Sequence, residues 1–258
     1  MESAIITGTG IYDIPGFVFE QKQVETAYGT ALVSVGTKHD FELAFLARHG
    51  LDHSTPPHKI NYRANIKALQ TLGVKRILAT NAVGSISRAI PPMGLAVLTD
   101  FLDFTSGRPL SFFEGGETGL AHTNMDVPYC TSLRAKILKL APQYELNIHP
   151  EATYVATNGP RFETPAEIRM FDKLGGDLVG MTGVPEVVLA RELGLHYASV
   201  AYSINWAAGL EEKMAFVSEK MAEVRLNLAR LLVATLQEKT NLECDCEGAV
   251  MIMQSPKK

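Results

Sequence analysis

With 258 residues and 46% hydrophobic content, the chain can bury a sizeable core, and no break in composition divides it into two domains. Its 24 Lys plus Arg and 28 Asp plus Glu give a formal charge of −4 with neither sign gathered into long runs, which argues against a nucleic-acid groove or an anionic membrane surface as partner. The N-terminus has no basic flank before its short apolar run, and no stretch reaches the roughly 20 apolar residues of a membrane span, so a soluble, cytoplasmic protein is expected.

Ala4-Ile5-Ile6 reads as a strand running into Thr7-Gly8-Thr9-Gly10, a turn in which glycines let backbone N–H groups and the Thr9 hydroxyl approach an anion. The same residues fit plain strand-to-loop punctuation equally well. A dinucleotide fingerprint is not met, because Gly10 is followed by Ile11-Tyr12-Asp13-Ile14-Pro15 rather than by a helix. Strands are expected over 28–36 and 43–48, the second delivering Arg48 and His49 at its end. A guanidinium fork beside an imidazole makes a good anion clamp, although such a pair at a loop start is frequently just solvated. His53 and His58 in the next loop have no carboxylate or cysteine at a metal-binding spacing, so no metal is expected. Over 62–72, Ile66, Leu69 and Leu72 recur at helical spacing and Gly73 supplies the stop.

The next expected strand, 74–80, ends in the small residues Asn81-Ala82-Val83-Gly84-Ser85, and ligands of α/β proteins gather beyond strand ends. A strand over 95–98, a loop-rich stretch over 100–113, an irregular stretch over 122–130 and a helix over 132–140 follow. The strand 154–157 leads into Asn158-Gly-Pro-Arg-Phe162-Glu163, after which Pro165 opens a helix over 165–174. In that setting Glu163 could also be no more than a helix-entry residue favoured by the dipole. The apolar run 177–181 ends at Met181 and Thr182, a helix covers 185–193, and the apolar strand 197–204 ends at Asn205. Three separate approaches to one pocket suggest a small, flat, polar ligand. Met214, Val217, Met221, Val224, Leu228, Leu231 and Leu232 then predict a long amphipathic helix over 211–239. Apolar strands alternating with helices point to a single α/β domain, with roughly 240–258 as a C-terminal tail. Three cysteines are too few for a disulfide framework, and one C-x-C, Cys244 and Cys246, does not meet zinc-site spacing; ordinary thiols and a redox or intersubunit staple both stay open.

Taken together, TGTG (7–10), RHG (48–50), NYRANIKAL (61–69), NAVGS (81–85), GPRFET (159–164) and GMTGVPEVVLARELG (180–194) are highly specific, and the chain resembles the trimeric purine nucleoside phosphorylase family over almost its full length, within it the 5'-methylthioadenosine phosphorylase branch. The resemblance implies a central mixed, partly barrel-like β-sheet flanked by helices, a homotrimer, and phosphorolysis without metal or organic cofactor, inorganic phosphate being the co-substrate. It also implies phosphate binding at Thr9, Arg48, His49, Ala82 and Thr182, the ribose over Met181, the base near Phe162, and His122 reaching a neighbouring subunit's sugar pocket. Thr7 departs from the family's usual Gly and stiffens the backbone there.

Asn205 stands where adenosine-type members resemble one another in having Asp, and Glu163 follows Phe162 as in the 6-oxopurine members. A hypoxanthine N1 carries a hydrogen that Glu163 can accept, whereas adenine N1 is a lone pair; an unpaired buried polar group costs about 1–3 kcal/mol. Asn205 and Glu163 are therefore the expected catalytic pair, stabilising charge on the departing purine. Residues 210–225 lack the His that meets a 5'-hydroxyl in inosine-type members and hold Met214, Phe216, Val217 and Met221, with Val217 chosen as the 5' contact. The expected reaction is phosphorolysis of a 6-oxopurine (methylthio)nucleoside, most like the branch that cleaves S-methyl-5'-thioinosine. Cleavage of 5'-methylthioadenosine or of inosine and guanosine, and a non-catalytic purine-binding homologue, are the other readings.

Overall fold

A computed structural model describes residues 1–211, 215–217, 221–238 and 242–253. In chain order, β1 (Ser3–Thr7), β2 (Phe19–Thr26), β3 (Gly29–Lys38) and β4 (Phe41–Ala47) precede α1 (Tyr62–Thr71), β5 (Arg76–Ser85), β6 (Leu95–Val97), β7 (Asp100–Asp103) and β8 (Leu120–Thr123). Then come α2 (Thr131–Leu140), β9 (Ile148–His149), β10 (Thr153–Ala156), α3 (Pro165–Lys173), β11 (Leu178–Gly180) and α4 (Glu186–Glu192). The chain finishes with β12 (His196–Trp206), α5 (Ala222–Gln237) and β13 (Val250–Met253).

All strands but β8 and β13 share one mixed sheet, ordered β2-β3-β4-β1-β5-β11-β10-β7, with β12 on the other edge of β5 carrying β6 and then β9. Side chains of β1 alternate across it: Ala4 and Ile6 join a cluster with α1 and α4, and Ile5 one with α2 and α5. Helices on both faces make this a single mixed α/β unit. Among the described residues no helix is long and apolar enough to cross a membrane.

The sheet forks at β5. Residues 76–79 pair with β1 and residues 84 and 85 with β11 on the same edge, while β12 follows the opposite edge from 76 to 85. Between Ala79 and Gly84 that edge has no strand partner, and the Thr80 carbonyl turned toward it accepts a side-chain hydrogen bond from Arg48. Backbone groups alternate in direction, so Ala82, two residues on, presents its N–H to the same opening.

Several elements differ from the sequence expectation, each for a physical reason. The small residues Asn81–Ser85 are strand, because β12 pairs with β5 through all of them. β2 holds FEQKQVET, with only Val24 buried; cross-strand pairing with β3 from Phe19↔Gly36 to Thr26↔Gly29, not apolar periodicity, makes it a strand. β7 lies in the stretch read as loop-rich, and β8 runs into the stretch read as irregular. The expected helix over 211–239 begins only at Ala222. Ahead of it Val217 donates its N–H to the Ile204 carbonyl, which holds 215–217 outside any helix and against the end of β12, while 212–214, 218–220 and Lys239 lie outside the described residues. The tail carries β13, antiparallel to β8.

Candidate active site

The fork opens into a cavity of about 740 Å³, at the ends of β1, β4, β11 and β12. β1 delivers Gly8 and Thr9, β4 delivers Arg48 and His49, β5 exposes Ala82, β11 ends at Met181 and Thr182, and β12 contributes Asn205; the loop before α3 adds Phe162 and Glu163. A register shift between Ser203 and Asn205 bulges β12 at this point, re-aiming Asn205 away from the regular ladder.

At one end the donors are fixed by buried partners. Arg48 Nε and Nη2 fork onto Glu186 at 2.6 and 2.7 Å, and Nη1 reaches the Thr80 carbonyl at 3.0 Å. Burial alone would lower the Arg48 pKa, but the Glu186 carboxylate outweighs it and the guanidinium is held charged. Tyr197 Oη donates to Glu186 Oε1 at 2.7 Å, completing the support. His49 Nδ1 lies 2.8 Å from the Thr55 carbonyl, which can only accept, so Nδ1 carries the hydrogen and Nε2 is left for a ligand. Burial lowers the His49 pKa; the Thr55 carbonyl opposes that and the Arg48 charge adds to it.

Gly8 explains the glycine of the turn better than flexibility does, since a Cβ there would stand 3.1 Å from Arg48 Nη1 and 3.6 Å from His49 Nε2. That space lies between the charged Arg48 guanidinium and the His49 imidazole, an arrangement suited to an anion. Thr7, where the resemblance leads one to expect Gly, sends its hydroxyl across the loop to the Ile11 carbonyl at 2.6 Å, and Thr9 offers its carbonyl to Tyr202 Oη. The Thr182 hydroxyl accepts from Asn81 Nδ2 at 3.0 Å, and Asn81 Oδ1 accepts from Ser199 at 2.7 Å. Thr182 N–H and Gly183 N–H both donate to Tyr154 Oη, whose pKa burial raises.

The other end is more open. Glu163 Oε1 accepts from Thr157 Oγ1 at 2.7 Å, leaving its second oxygen available to the cavity. Asn205 Nδ2 donates to the Trp206 carbonyl at 2.7 Å, so its Oδ1 and one amide hydrogen remain. Phe162 and Phe216 face each other with ring centroids 6.0 Å apart.

Nine of the residues singled out in the sequence thus line one cavity, and two do not. Val217 gives way to its neighbour Phe216, which lines the cavity while Val217 packs against the core. His122, expected to serve a neighbouring subunit's pocket rather than this one, is exposed on β8, opposite Met251, and lies outside this chain's own cavity. Met214 lies outside the described residues, and Met221 is core. Sequence reasoning missed Glu186, Tyr197, Asn81, Ser199, Tyr154 and Thr157. Glu186 alone left a signal, as a carboxylate followed by an apolar run in a short helix, and it is 1% exposed. His53 binds the Tyr12 hydroxyl at 2.8 Å; among the described residues one cluster could hold a metal, and it lies outside this cavity at Cys130, His196, Cys244 and Cys246.

Residues 2–237 match the model of the phosphorylase superfamily. The chain is 44% identical to a 6-oxopurine nucleoside phosphorylase of Pyrococcus furiosus, over 96% of this chain and 97% of that one. It is 48% identical to a probable S-methyl-5'-thioinosine phosphorylase of Methanopyrus kandleri, over 84% of each. Among solved structures, methylthioadenosine phosphorylase from Schistosoma mansoni in complex with tubercidin superposes with a TM-score of 0.84 at 32% identity, covering 92% of this chain and 93% of that one. A family model matched over nearly the whole chain, with a relative 44% identical over almost its full length, places the chain: it belongs to the phosphorylase superfamily.

Proposed function

We propose that the protein cleaves the N-glycosidic bond of a 6-oxopurine nucleoside with inorganic phosphate, giving the free purine and a pentose 1-phosphate, and that a 5'-methylthio nucleoside of hypoxanthine is its preferred substrate. The observation that carries the base assignment is Glu163, whose Oε1 is occupied by Thr157 and whose other oxygen is an acceptor without a donor among the described residues. An acceptor there matches the N1–H of a 6-oxopurine and faces a lone pair in a 6-aminopurine.

Phosphate sits between Arg48 Nη1 and His49 Nε2 where a Gly8 side chain would stand, with Thr9, the Ala82 N–H and the Thr182 hydroxyl as further donors. The remaining Nη1 hydrogen of Arg48 is directed there because Glu186 and Thr80 occupy the others nearby. One phosphate oxygen bonds to C1' as the C1'–N9 bond breaks, and the phosphate charge stabilises the oxocarbenium character that develops in the sugar over Met181. The bonding pair leaves with the purine, which takes at N7 the proton that hydrogen phosphate gives up, relayed by solvent; Asn205 Oδ1 accepts that N7–H, while Glu163 holds N1–H. The reaction balances without a redox group, so no cofactor is assigned. The half-exposed Phe216 and the absence of His from 210–225 support a 5'-methylthio group at the far end. The open base end and an exposed His122 support a homotrimer, in which a partner's copy of this strand closes the sugar site.

Turnover of methylthioinosine, methylthioadenosine, inosine and guanosine at saturating phosphate tests the reading. Methylthioadenosine as clearly the best substrate would overturn the base assignment, and inosine as the best would overturn the sugar assignment. Sedimentation tests the trimer.

A further inference from the structure

The C-x-C near the C-terminus meets two partners that its spacing does not advertise. Cys130 stands at the N-cap of α2 and His196 opens β12; the Cys130 N–H donates to the Tyr197 carbonyl at 2.8 Å, which sets the two side chains together. Cys244 and Cys246 are laid over them by Ser132 Oγ donating to the Glu243 carbonyl at 2.7 Å and by Asn124 N–H donating to the Ala249 carbonyl at 2.8 Å.

The four ligand atoms lie within 4.8 Å of one another. Cys130 Sγ is 3.5 Å from Cys244 Sγ, Cys244 Sγ is 3.2 Å from His196 Nδ1, and Cys130 Sγ is 3.8 Å from His196 Nδ1. All three thiols are free, and a disulfide requires sulfurs about 2.05 Å apart. Tetrahedral zinc, with Zn–S about 2.3 Å and Zn–N about 2.05 Å, sets neighbouring sulfurs roughly 3.8 Å apart and sulfur and nitrogen roughly 3.6 Å apart. The three separations among Cys130, Cys244 and His196 agree with those edges to a few tenths of an ångström, and Cys246 lies within 4.8 Å of all three.

We propose that Cys130, His196, Cys244 and Cys246 bind a zinc-class divalent cation as a closed, structural site. Four protein ligands leave no position for water or substrate, which is the mark of a structural rather than a catalytic centre. Sulfur and imidazole donors suit zinc over magnesium or calcium. The surrounding groups fit a loaded site. Glu247 Oε1 is 3.7 Å from His196 Nε2, the nitrogen left over when Nδ1 binds metal, and a carboxylate there orients the ring. Arg191 places Nη1 4.0 Å from Cys246 Sγ while its Nε is fixed on the Asn124 carbonyl at 2.6 Å, so a cation offsets the excess negative charge of three thiolates on a divalent ion. The cation joins the start of α2, the start of β12 and the C-terminal segment, and so fixes β13 on β8.

Protein purified without chelator, analysed for metals, is expected to hold about one zinc per chain. Replacing it by cobalt should produce tetrahedral d–d bands and a thiolate-to-cobalt charge-transfer band. In a Cys244→Ser/Cys246→Ser variant the zinc should fall below about a tenth of an ion per chain. Chelating the wild-type protein should speed amide exchange in Val250–Met253 and Leu120–Thr123. Three freely titrating thiols with no zinc and no cobalt band would overturn the proposal, as would an intact mass short of two hydrogens, which marks a disulfide instead. Should the double variant fail to fold, cobalt titration of the wild-type protein decides alone.

Discussion

At the anion end of the cavity Arg48 rests on Glu186 and Tyr197, and Thr182 on Asn81 and Ser199, all buried; at the purine end Phe162 and Phe216 are 52% and 49% exposed and Glu163 is held by Thr157. The first end is made by the core of the sheet, since its ligands are also the groups that satisfy one another beneath the fork. The second is made by loops that bring rings and acceptors near the site but do not close over it. Under the proposed function phosphate is the co-substrate whatever the nucleoside, so a rigid, prefabricated cradle suits it. On the same proposal, selectivity for base and 5' group falls to the end where single side chains can change without disturbing the core.

That contrast is breakable by substitution. Glu186→Ala should give the largest effect, because it leaves the 2%-exposed Arg48 charge without its partner. A loss of about 3–5 kcal/mol of stability and a Tm lower by on the order of 10 °C are expected by calorimetry. Retained Tm would show that the anion end is not built into the core. Gly8→Ala attacks the same end without unfolding it, as the residue needs no positive φ and its Cβ would fill the space between Arg48 and His49. The KM for phosphate should rise roughly tenfold to a hundredfold, and that for nucleoside much less.

At the open end, Glu163→Gln should leave Tm nearly unchanged and lower kcat/KM for 6-oxo nucleosides about tenfold to a hundredfold, while a 6-amino nucleoside, able to accept from the new amide, loses less. Asn205→Asp should move preference in the same direction; unchanged selectivity in both would remove base reading from these residues. The smallest effect concerns pH. His49 has its pKa lowered in the fold, so the unfolded chain binds the proton more readily. The stability this contributes is fully present above the ordinary value of about 6.5 and is lost as pH falls below it toward the folded-state pKa. Melting curves between pH 7.5 and 5, on the order of the physiological range, should show wild type losing more stability on acidification than His49→Gln.

How much of this was legible from residues follows the chemistry. Glycines and short hydroxyls at strand ends, and an Arg-His pair after a strand, carry local signals, so Thr9, Arg48, His49 and Thr182 could be singled out before any fold was known. Val217 could not be told from Phe216, because that choice depends on whether 215–217 belongs to the helix or lies outside it, and the deciding bond is Val217 N–H to the Ile204 carbonyl. β2 was invisible because pairing, not composition, makes it a strand.

By itself the sequence determined which chemical groups are available and which backbone points need glycine, since those depend on residue type and near neighbours. The tertiary structure alone decided what stands behind them. Glu186 lies 138 residues from Arg48, and Cys130 lies 114 residues from Cys244, and no local pattern links either pair. The fork at β5 joins the first pair and the start of β12 anchors the second, because burial forces each polar group to find a partner wherever in the chain that partner lies.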